Sequence, residues 1–513
     1  MRGDDMTRPM SGRRQMLKGA VAASVTALVG SATQGKDGSK PIPPRQPALI
    51  ADENKRRGDA DWQLTRVRLD KKDGYRSPWI EGYCSRQSVR VGDTLDIMVS
   101  TNPAGAFEID IFRMGYYGGA GARHMTKLGP FAGQVQPDPE VGSNRLRECR
   151  WEPSTQLNIP NDWPSGVYLG RLSLVGEPPL KAGWQSWIVF IVRDDRPADV
   201  LFQCSDNTWQ AYNRWPDAYS LYTDPRGSLV GDVSVSFDRP YAKYSQIIEA
   251  PHALGSGEFL LWEYPLCYWL EQHGYDVTYC SNCDMLDPAC AARAKMFVSV
   301  GHDEYWDLRQ YDACKAAIDG GTNAMFLSGN AVCFVAPFEP SSDGRPNRII
   351  SRMGRYGGLT DLERPKMGPF NMQGPNENLL IGARTITPFN GGGDWIITRP
   401  GHWIFAGTNV VKGDAIPGLV GWEFHGDPAP IPGLEIVAEG IALAGGVNPA
   451  HWTATVYPGA NENFVFNAST IWWAQGLSSP PGHMLPWAHW SRPHGPDPRV
   501  QRITHNVLRR AIG

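Results

Sequence analysis

Lys295-Met-Phe-Val-Ser-Val300 is an unbroken apolar run followed directly by Gly301-His302-Asp303-Glu304-Tyr305-Trp306, and the pattern recurs at Ala324-Met-Phe-Leu327 with Ser328-Gly329-Asn330 behind it. Short apolar runs without alternation are the mark of strands buried on both faces, as in a parallel sheet. The stretch between them, Trp306 to Ile318, has helical spacing and is closed by Gly320-Gly321. Upstream, Asp199-Val-Leu-Phe-Gln-Cys204 reads as a strand, Pro265 to Gln272 as a helix ended by Gly274, and Asp276-Val-Thr-Tyr-Cys280 as another strand. Strands separated by helices indicate βαβ units and a parallel sheet. Residues 375–475 return to Gly-rich, strand-like segments. A last helix is expected from Pro498, with Asp497 as N-cap and Val500, Ile503, Val507 and Leu508 as its apolar stripe.

Residues 59–195 have a different grammar. Ser88 to Ser100 alternates with a Gly-Asp turn inside it, and Phe107–Phe112, Gly166–Leu174 and Ser186–Val192 add three more strands. Short strands with turn signals between them predict a β-sandwich. The fold class expected is therefore a β-sandwich over 59–195 followed by an α/β domain over 196–513. Residues 33–58, rich in Pro and Gly, read as a linker. The chain opens with Ser11-Gly-Arg-Arg-Gln-Met-Leu-Lys18 and an apolar run from Gly19 to Ala32, too short to span a bilayer. This is expected to be a signal peptide of the twin-arginine class over 1–32, giving a periplasmic or extracellular protein with no membrane span in the mature chain.

Composition narrows the chemistry. Without the first 32 residues the chain carries 45 Lys and Arg against 51 Asp and Glu, and there is no basic run, so nucleic acid is not an expected partner. The 19 Trp and 18 Tyr suit packing or an aromatic pocket. Nine cysteines leave at least one thiol unpaired, and Cys280-Ser-Asn-Cys283 has no second CxxC to complete a zinc site. In an oxidising compartment a Cys280–Cys283 or Cys283–Cys290 disulfide is open to the chain. GxSxG, HExxH and a GxGxxG at a strand–helix junction are all absent. Ligands of an open parallel sheet bind beyond the carboxyl ends of its strands. The side chains there are imidazole, carboxylate and phenol, an oxygen-rich set suited to a hard cation such as ferric iron, Mg²⁺ or Ca²⁺.

Gly301-His-Asp-Glu-Tyr-Trp306 and Phe326-Leu-Ser-Gly-Asn330 resemble the C-terminal domain of the N,N-dimethylformamidase large (β) subunit family. So do Asn207-Thr-Trp-Gln-Ala-Tyr-Asn213 with Ser220-Leu-Tyr222, Ser236-Phe-Asp-Arg-Pro-Tyr241, Trp269-Leu-Glu-Gln-His-Gly-Tyr-Asp-Val277 and Arg113-Met-Gly-Tyr-Tyr-Gly-Gly-Ala-Gly-Ala-Arg123. The likeness covers about 85–475. It implies an Ig-like sandwich, an α/β domain of glutamine-amidotransferase-like architecture, and mononuclear iron (Fe³⁺) held by two tyrosines and a glutamate. Carried over, those ligands fall on Tyr264, Tyr305 and Glu377, with Glu423 in Gly421-Trp-Glu-Phe424 as the reserve for the third. His302 or Glu304 would then serve as base and Asn330 as oxyanion donor. The family's amidase is larger and works with a small subunit, which is not evident here; a homo-oligomer stays open. This chain also has Trp215-Pro-Asp-Ala218 where members often have Gly-Gly, and His425 where they often have an acid.

Three functions follow as expectations. The first is an exported metal-dependent hydrolase cleaving a C–N bond in a small amide-like substrate. The second is a non-catalytic envelope or glycan-binding protein with a degenerate site. The third keeps the metal but acts on carbohydrate or ester.

Overall fold

A computed structural model describes residues 46–68, 74–77, 79–176, 183–228, 230–244, 253–357, 372–385, 391–444, 448–483 and 494–513. All of them belong to one compact unit. The expected signal peptide, and the linker up to residue 45, lie outside the described residues.

The end of the expected linker is folded instead. Leu49–Glu53 forms a short helix, α1, with Ile50 fully buried. The Asn54 side chain that follows donates to Glu271 Oε2 at 2.7 Å and accepts from the amides of Tyr116 and Tyr117. Buried Glu53 adds to the attachment by accepting from the Tyr117 hydroxyl and from Arg123 Nε, contacts that composition does not show.

The β-rich half contains β1 (Ile80–Cys84), β2 (Ser88–Val89), β3 (Thr94–Thr101), β4 (Ala106–Met114), β5 (Ala122–Ala132), β6 (Thr155–Asn158), β7 (Gly166–Leu174) and β8 (Gln185–Val192). They make a three-stranded sheet, β1-β3-β6, and a five-stranded sheet, β2-β8-β7-β4-β5. Ile97, Val99, Ile109, Ile111, Leu172 and Ile188 from both sheets share one core, so the two sheets face each other as the alternation implies. The Gly-Asp turn splits the run from Ser88 to Ser100 into β2 and β3.

The second half is built on a seven-stranded sheet. Its strands are β9 (Ala198–Gln203), β10 (Val277–Cys280), β11 (Ala294–His302), β12 (Asn323–Gly329), β13 (Glu435–Ala444), β14 (Asn448–Pro458) and β15 (Phe464–Asn467). Their order is β10-β9-β11-β12-β15-β14-β13; the first five run parallel and the last two join antiparallel. Side chains of β11 alternate between two cores. Met296, Val298 and Val300 face one, and Phe297 faces the other with Leu201 and Phe326. This is why the run is apolar without a break.

Helices cover both faces. α2 (Asp206–Tyr212) follows β9, α3 (Tyr264–Gln272) precedes β10, and α4 (Leu308–Asp319) connects β11 to β12. α4 places Cys314, Ala317 and Ile318 in the core of Phe297. The last helix, α5 (Pro498–Ile512), has the expected cap, with Asp497 accepting from the Arg499 amide, and buries Val500, Ile503, Val507 and Leu508. No helix among the described residues is long and apolar enough to cross a membrane. All nine cysteines are free, so neither of the disulfides open to the chain is present.

Gly301 sits at φ +69°, and a Cβ there would lie 2.5 Å from the Trp262 Cβ. Gly344 has a comparable φ of +86° but nothing within 4 Å. Gly301→Ala therefore adds a steric conflict to the roughly 1–2 kcal/mol cost of a left-handed residue. Thermal melting is expected to show a clearly larger drop for Gly301→Ala than for Gly344→Ala; equal drops would remove Gly301 as a packing constraint.

Candidate functional site

The carboxyl edge of the parallel sheet is shaped by one buried aspartate. Asp303, one residue past β11, accepts from Gln203 Nε2 at 2.6 Å, Ser299 Oγ at 2.8 Å and Asn282 Nδ2 at 3.2 Å. It thus ties the ends of β9, β10 and β11 together. It does not cap α4; Asp307 does, accepting from the Arg309 amide. Burial raises the Asp303 carboxyl to about 6, against the pull of these donors.

β11 ends with His302 paired alongside Gly329 of β12. Beyond β12, Asn330 and Val332 both take left-handed backbone, at φ +54° and +53°. Asn tolerates this, but a β-branched residue is a true outlier there. The Val332 amide donates to the Asp303 carbonyl at 3.1 Å, which holds the turn. Glu423 arrives from a segment 94 residues beyond Gly329 in sequence. Its carbonyl lies so close over Gly329 that an added Cβ would be 2.1 Å away. The Ile471 amide fixes that same carbonyl at 3.1 Å.

These constraints bring three side chains together. His302 Nε2 is 2.8 Å from Glu423 Oε2 and 3.2 Å from Glu304 Oε2, and Nδ1 is 3.8 Å from Glu258 Oε2. All four side chains are essentially buried, at 3% exposure or less. Tyr212, Trp422 and Trp262 surround the imidazole, with centroids at 5.0, 5.6 and 6.5 Å. One ligand atom each of His302, Glu304 and Glu423 lies within 4.8 Å of the others, spacing suited to a metal ion.

The polar atoms are unevenly satisfied. Glu304 accepts from the Tyr212 hydroxyl at 2.8 Å and from Asn330 Nδ2 at 3.0 Å. The Tyr222 hydroxyl is 3.3 Å from it, and Tyr305 donates to Tyr222. Neither nitrogen of His302, nor Glu423 Oε2, has an aligned hydrogen-bond partner despite their close approach. Burial alone would lower the His302 pKa, but the Glu423 charge and the contacts to Glu258, Glu304 and Glu423 hold it well above the usual range. Burial raises Glu423 to about 7 against the attraction of His302. Burial, reinforced by the Glu304 charge, holds the phenols of Tyr212, Tyr222 and Tyr305 well above normal, so they act as neutral donors.

Of the six expected site residues, His302, Glu304, Asn330 and Tyr305 meet here. Tyr264 does not join them. Its hydroxyl donates to the Gly121 carbonyl at 3.1 Å, and its ring packs edge-on against Trp62. Glu377 instead accepts from the Thr385 amide at 3.2 Å, with Arg384 3.8 Å away. Glu423, the reserve, occupies the centre. Asn330 does not offer an unengaged N–H, since its Nδ2 faces both Glu304 and, at 3.5 Å, Glu423. His425 is a structural residue; Nε2 accepts from the Ala331 amide, Nδ1 donates to Asn467 Oδ1, and burial pushes it down to about 4. Tyr212 and Tyr222 lay inside quoted motifs but carried no assignment, and Glu258 lay outside them. No spacing rule marks them, because each reaches His302 or Glu304 only through the tertiary fold.

Residues 108–486 match the model of the family described as N,N-dimethylformamidase beta subunit-like, C-terminal, and the chain belongs to that family. The matched region contains every residue of the cluster just described. No curated protein matches the chain.

The raised His302 value has a stability consequence. A folded state that holds a proton more tightly than the unfolded chain loses stability as pH rises from the unfolded pKa towards the folded one. For His302 that window opens near pH 6.5, where the unfolded imidazole gives up its proton. Metal-free protein in chelator is therefore expected to melt at lower temperature as pH rises from 6.5 to 8. Glu423→Gln removes the main charge holding that proton, so its slope should be shallower by about 1 kcal/mol per pH unit. Identical slopes for the two proteins would overturn this charge assignment.

Proposed function

We propose that this chain is a metal-dependent hydrolase that cleaves an amide-type C–N bond, with His302, Glu304 and Glu423 holding the ion. The observation that carries this reading is the buried trio itself, with three donor atoms in ligand spacing and both His302 nitrogens and Glu423 Oε2 lacking aligned partners. Carboxylates crowded around one imidazole out of reach of solvent are costly and call for a cation to balance them. Imidazole and carboxylate donors fit a first-row transition ion. Mononuclear ferric iron is the ion we propose, on the family resemblance. When bound, such an ion polarises a carbonyl and lowers the pKa of water.

The surrounding residues have definable work. Tyr212 and Asn330 orient Glu304 by donating to its two oxygens. Glu258 lies behind His302 Nδ1, where a carboxylate fixes the ring of a ligating histidine. Glu423, pushed up to about 7 by burial, gives up its proton near neutral pH when it takes the ion. The neutral hydroxyls of Tyr222 and Tyr305 form a donor chain that ends on Glu304. Tyr305 is the member of the family-implied ligand set that adjoins the trio, and Tyr264 serves the packing against Gly121.

The binding-module reading has less support, since no described tryptophan is among the exposed large apolar residues that a sugar platform needs. For the rest of the chain we propose an Ig-like sandwich, a glutamine-amidotransferase-like α/β domain, and export by the twin-arginine route on the strength of Arg13-Arg14 and the apolar run after Lys18.

Elemental mass spectrometry of protein from iron-replete cells is expected to find about one ion per chain. Glu304→Gln and Glu423→Gln should lose it and lower turnover of a responsive amide at least about a hundredfold. Tyr264→Phe and Glu377→Gln should keep it. No ion in the parent, or full occupancy in Glu423→Gln, would sink the proposal.

A further inference from the structure

Two of the phenols at Glu304 come from either end of one loop. Tyr212 ends α2, and the chain from Asn213 to Leu221 that leads on to Tyr222 contains no helix or strand. The Leu221 amide closes the base of this loop by donating to the Ala211 carbonyl at 2.9 Å. Closure lays the two rings side by side, with centroids 4.6 Å apart, and turns both hydroxyls to Glu304, at 2.8 and 3.3 Å.

An irregular buried loop at a helix end leaves carbonyls without ladder partners. Here one guanidinium collects them. Arg239 is 1% exposed and donates to the carbonyls of Gln210, Asn213, Trp215 and Tyr219, at 2.9–3.3 Å, and to Gln210 Oε1 at 2.8 Å. Gln210 Oε1 also accepts from Asn213 Nδ2 at 2.8 Å, so the last turn of α2 is cross-linked to the loop. No carboxylate among the described residues pairs with Arg239; the adjacent Asp238 is taken by Arg345 and Arg348. Burial lowers the Arg239 guanidinium to about 9, which leaves it charged at neutral pH. A buried cation held only by carbonyl and amide oxygens is costly unless all of them stay in place. A rigid five-donor fork fixes that arrangement in a way that an ammonium cannot.

We infer that Arg239 is a positioning residue for the trio: it clamps the end of α2 and the loop after it, and so aims Tyr212 and Tyr222 at Glu304. None of its hydrogen bonds reaches the phenols or Glu304, so it acts through the backbone that carries them. Its effect on a bound ion rests on the proposed function, whereas its effect on Glu304 does not.

Urea unfolding of the mature chain in chelator tests the aim without an ion. Arg239→Lys keeps the charge, loses the fork and should lower the folding equilibrium constant. In Tyr212→Phe protein the same change should cost about fivefold less, because the bond to Glu304 that the clamp serves is already gone. Chelator competition on the iron-loaded chain tests the consequence, and folded Arg239→Lys should bind ferric iron about tenfold more weakly than the parent. Gln210→Met, which removes one of the five acceptors, is the milder variant for both measurements if the lysine protein does not fold. Equal costs in the two backgrounds, or an unchanged iron affinity, would overturn the inference by leaving Arg239 a purely structural residue. A parent without iron would overturn the hydrolase reading instead, and the unfolding cycle would then decide the role of Arg239 by itself.

Discussion

Burying three carboxylates around one imidazole is the constraint that the architecture answers. Glu258, Glu304 and Glu423 all approach His302 with negligible solvent access. Unit charges about 4 Å apart interact by several kcal/mol at the effective dielectric of a protein, far more than in water. Such a group survives only if a cation balances it and if its backbone is held rigidly. The second condition explains the local geometry. Asp303 locks three strand ends, Gly329 lets the Glu423 carbonyl descend onto β12, and Val332 accepts left-handed backbone to complete the turn.

The sandwich contributes to the same rigidity through a buried ion pair. Arg113 of β4 is fully buried and makes a bidentate pair with Glu271 of α3, at 2.9 and 2.8 Å. It also donates to the Ser165 carbonyl and the Tyr117 hydroxyl. Removing one partner of such a pair leaves the other charged and unmatched, at a cost of about 3–5 kcal/mol. The pair therefore fixes α3 against the sandwich, and Tyr264, the first residue of α3, is drawn into that contact through Gly121. A tyrosine at plausible sequence spacing for a ligand is thus used where α3 packs on the sandwich.

How far the sequence carried these features depended on range. β11, β12 and α5 were legible because their signals are local, in an apolar run, a Gly-rich exit, and a cap with its stripe. His302 and Glu304 were legible because they follow a buried strand at once. Glu258 was not, and Glu423 only as the alternative to Glu377, since both reach His302 from segments more than 40 residues away. Glu377 looked as suitable as Glu423 by residue type; only the close approach at Gly329 separates them. The packed stretch at 46–58 was missed for a related reason. Its anchors, Ile50 and Asn54, gain meaning only from the buried surfaces they meet.

Charge counting gives the ferric reading its physical support. Without an ion, the His302 proton is the local positive charge, and it leaves Glu423 near 7, partly protonated. A ligating histidine must surrender that proton. A divalent ion would then leave the three carboxylates with one surplus negative charge in a dry site, whereas a trivalent ion balances them. The phenols obey the same arithmetic. Each is held neutral by burial and by Glu304, and ionising one demands a further positive charge. Arg352 is placed to provide it, with its guanidinium 4.8 Å from the Tyr222 ring centroid. A single phenolate, on Tyr222 or Tyr305, is therefore the most that this site can hold beside a trivalent ion. A second would be uncompensated, so a ligand set with two tyrosinates does not fit the charges gathered here.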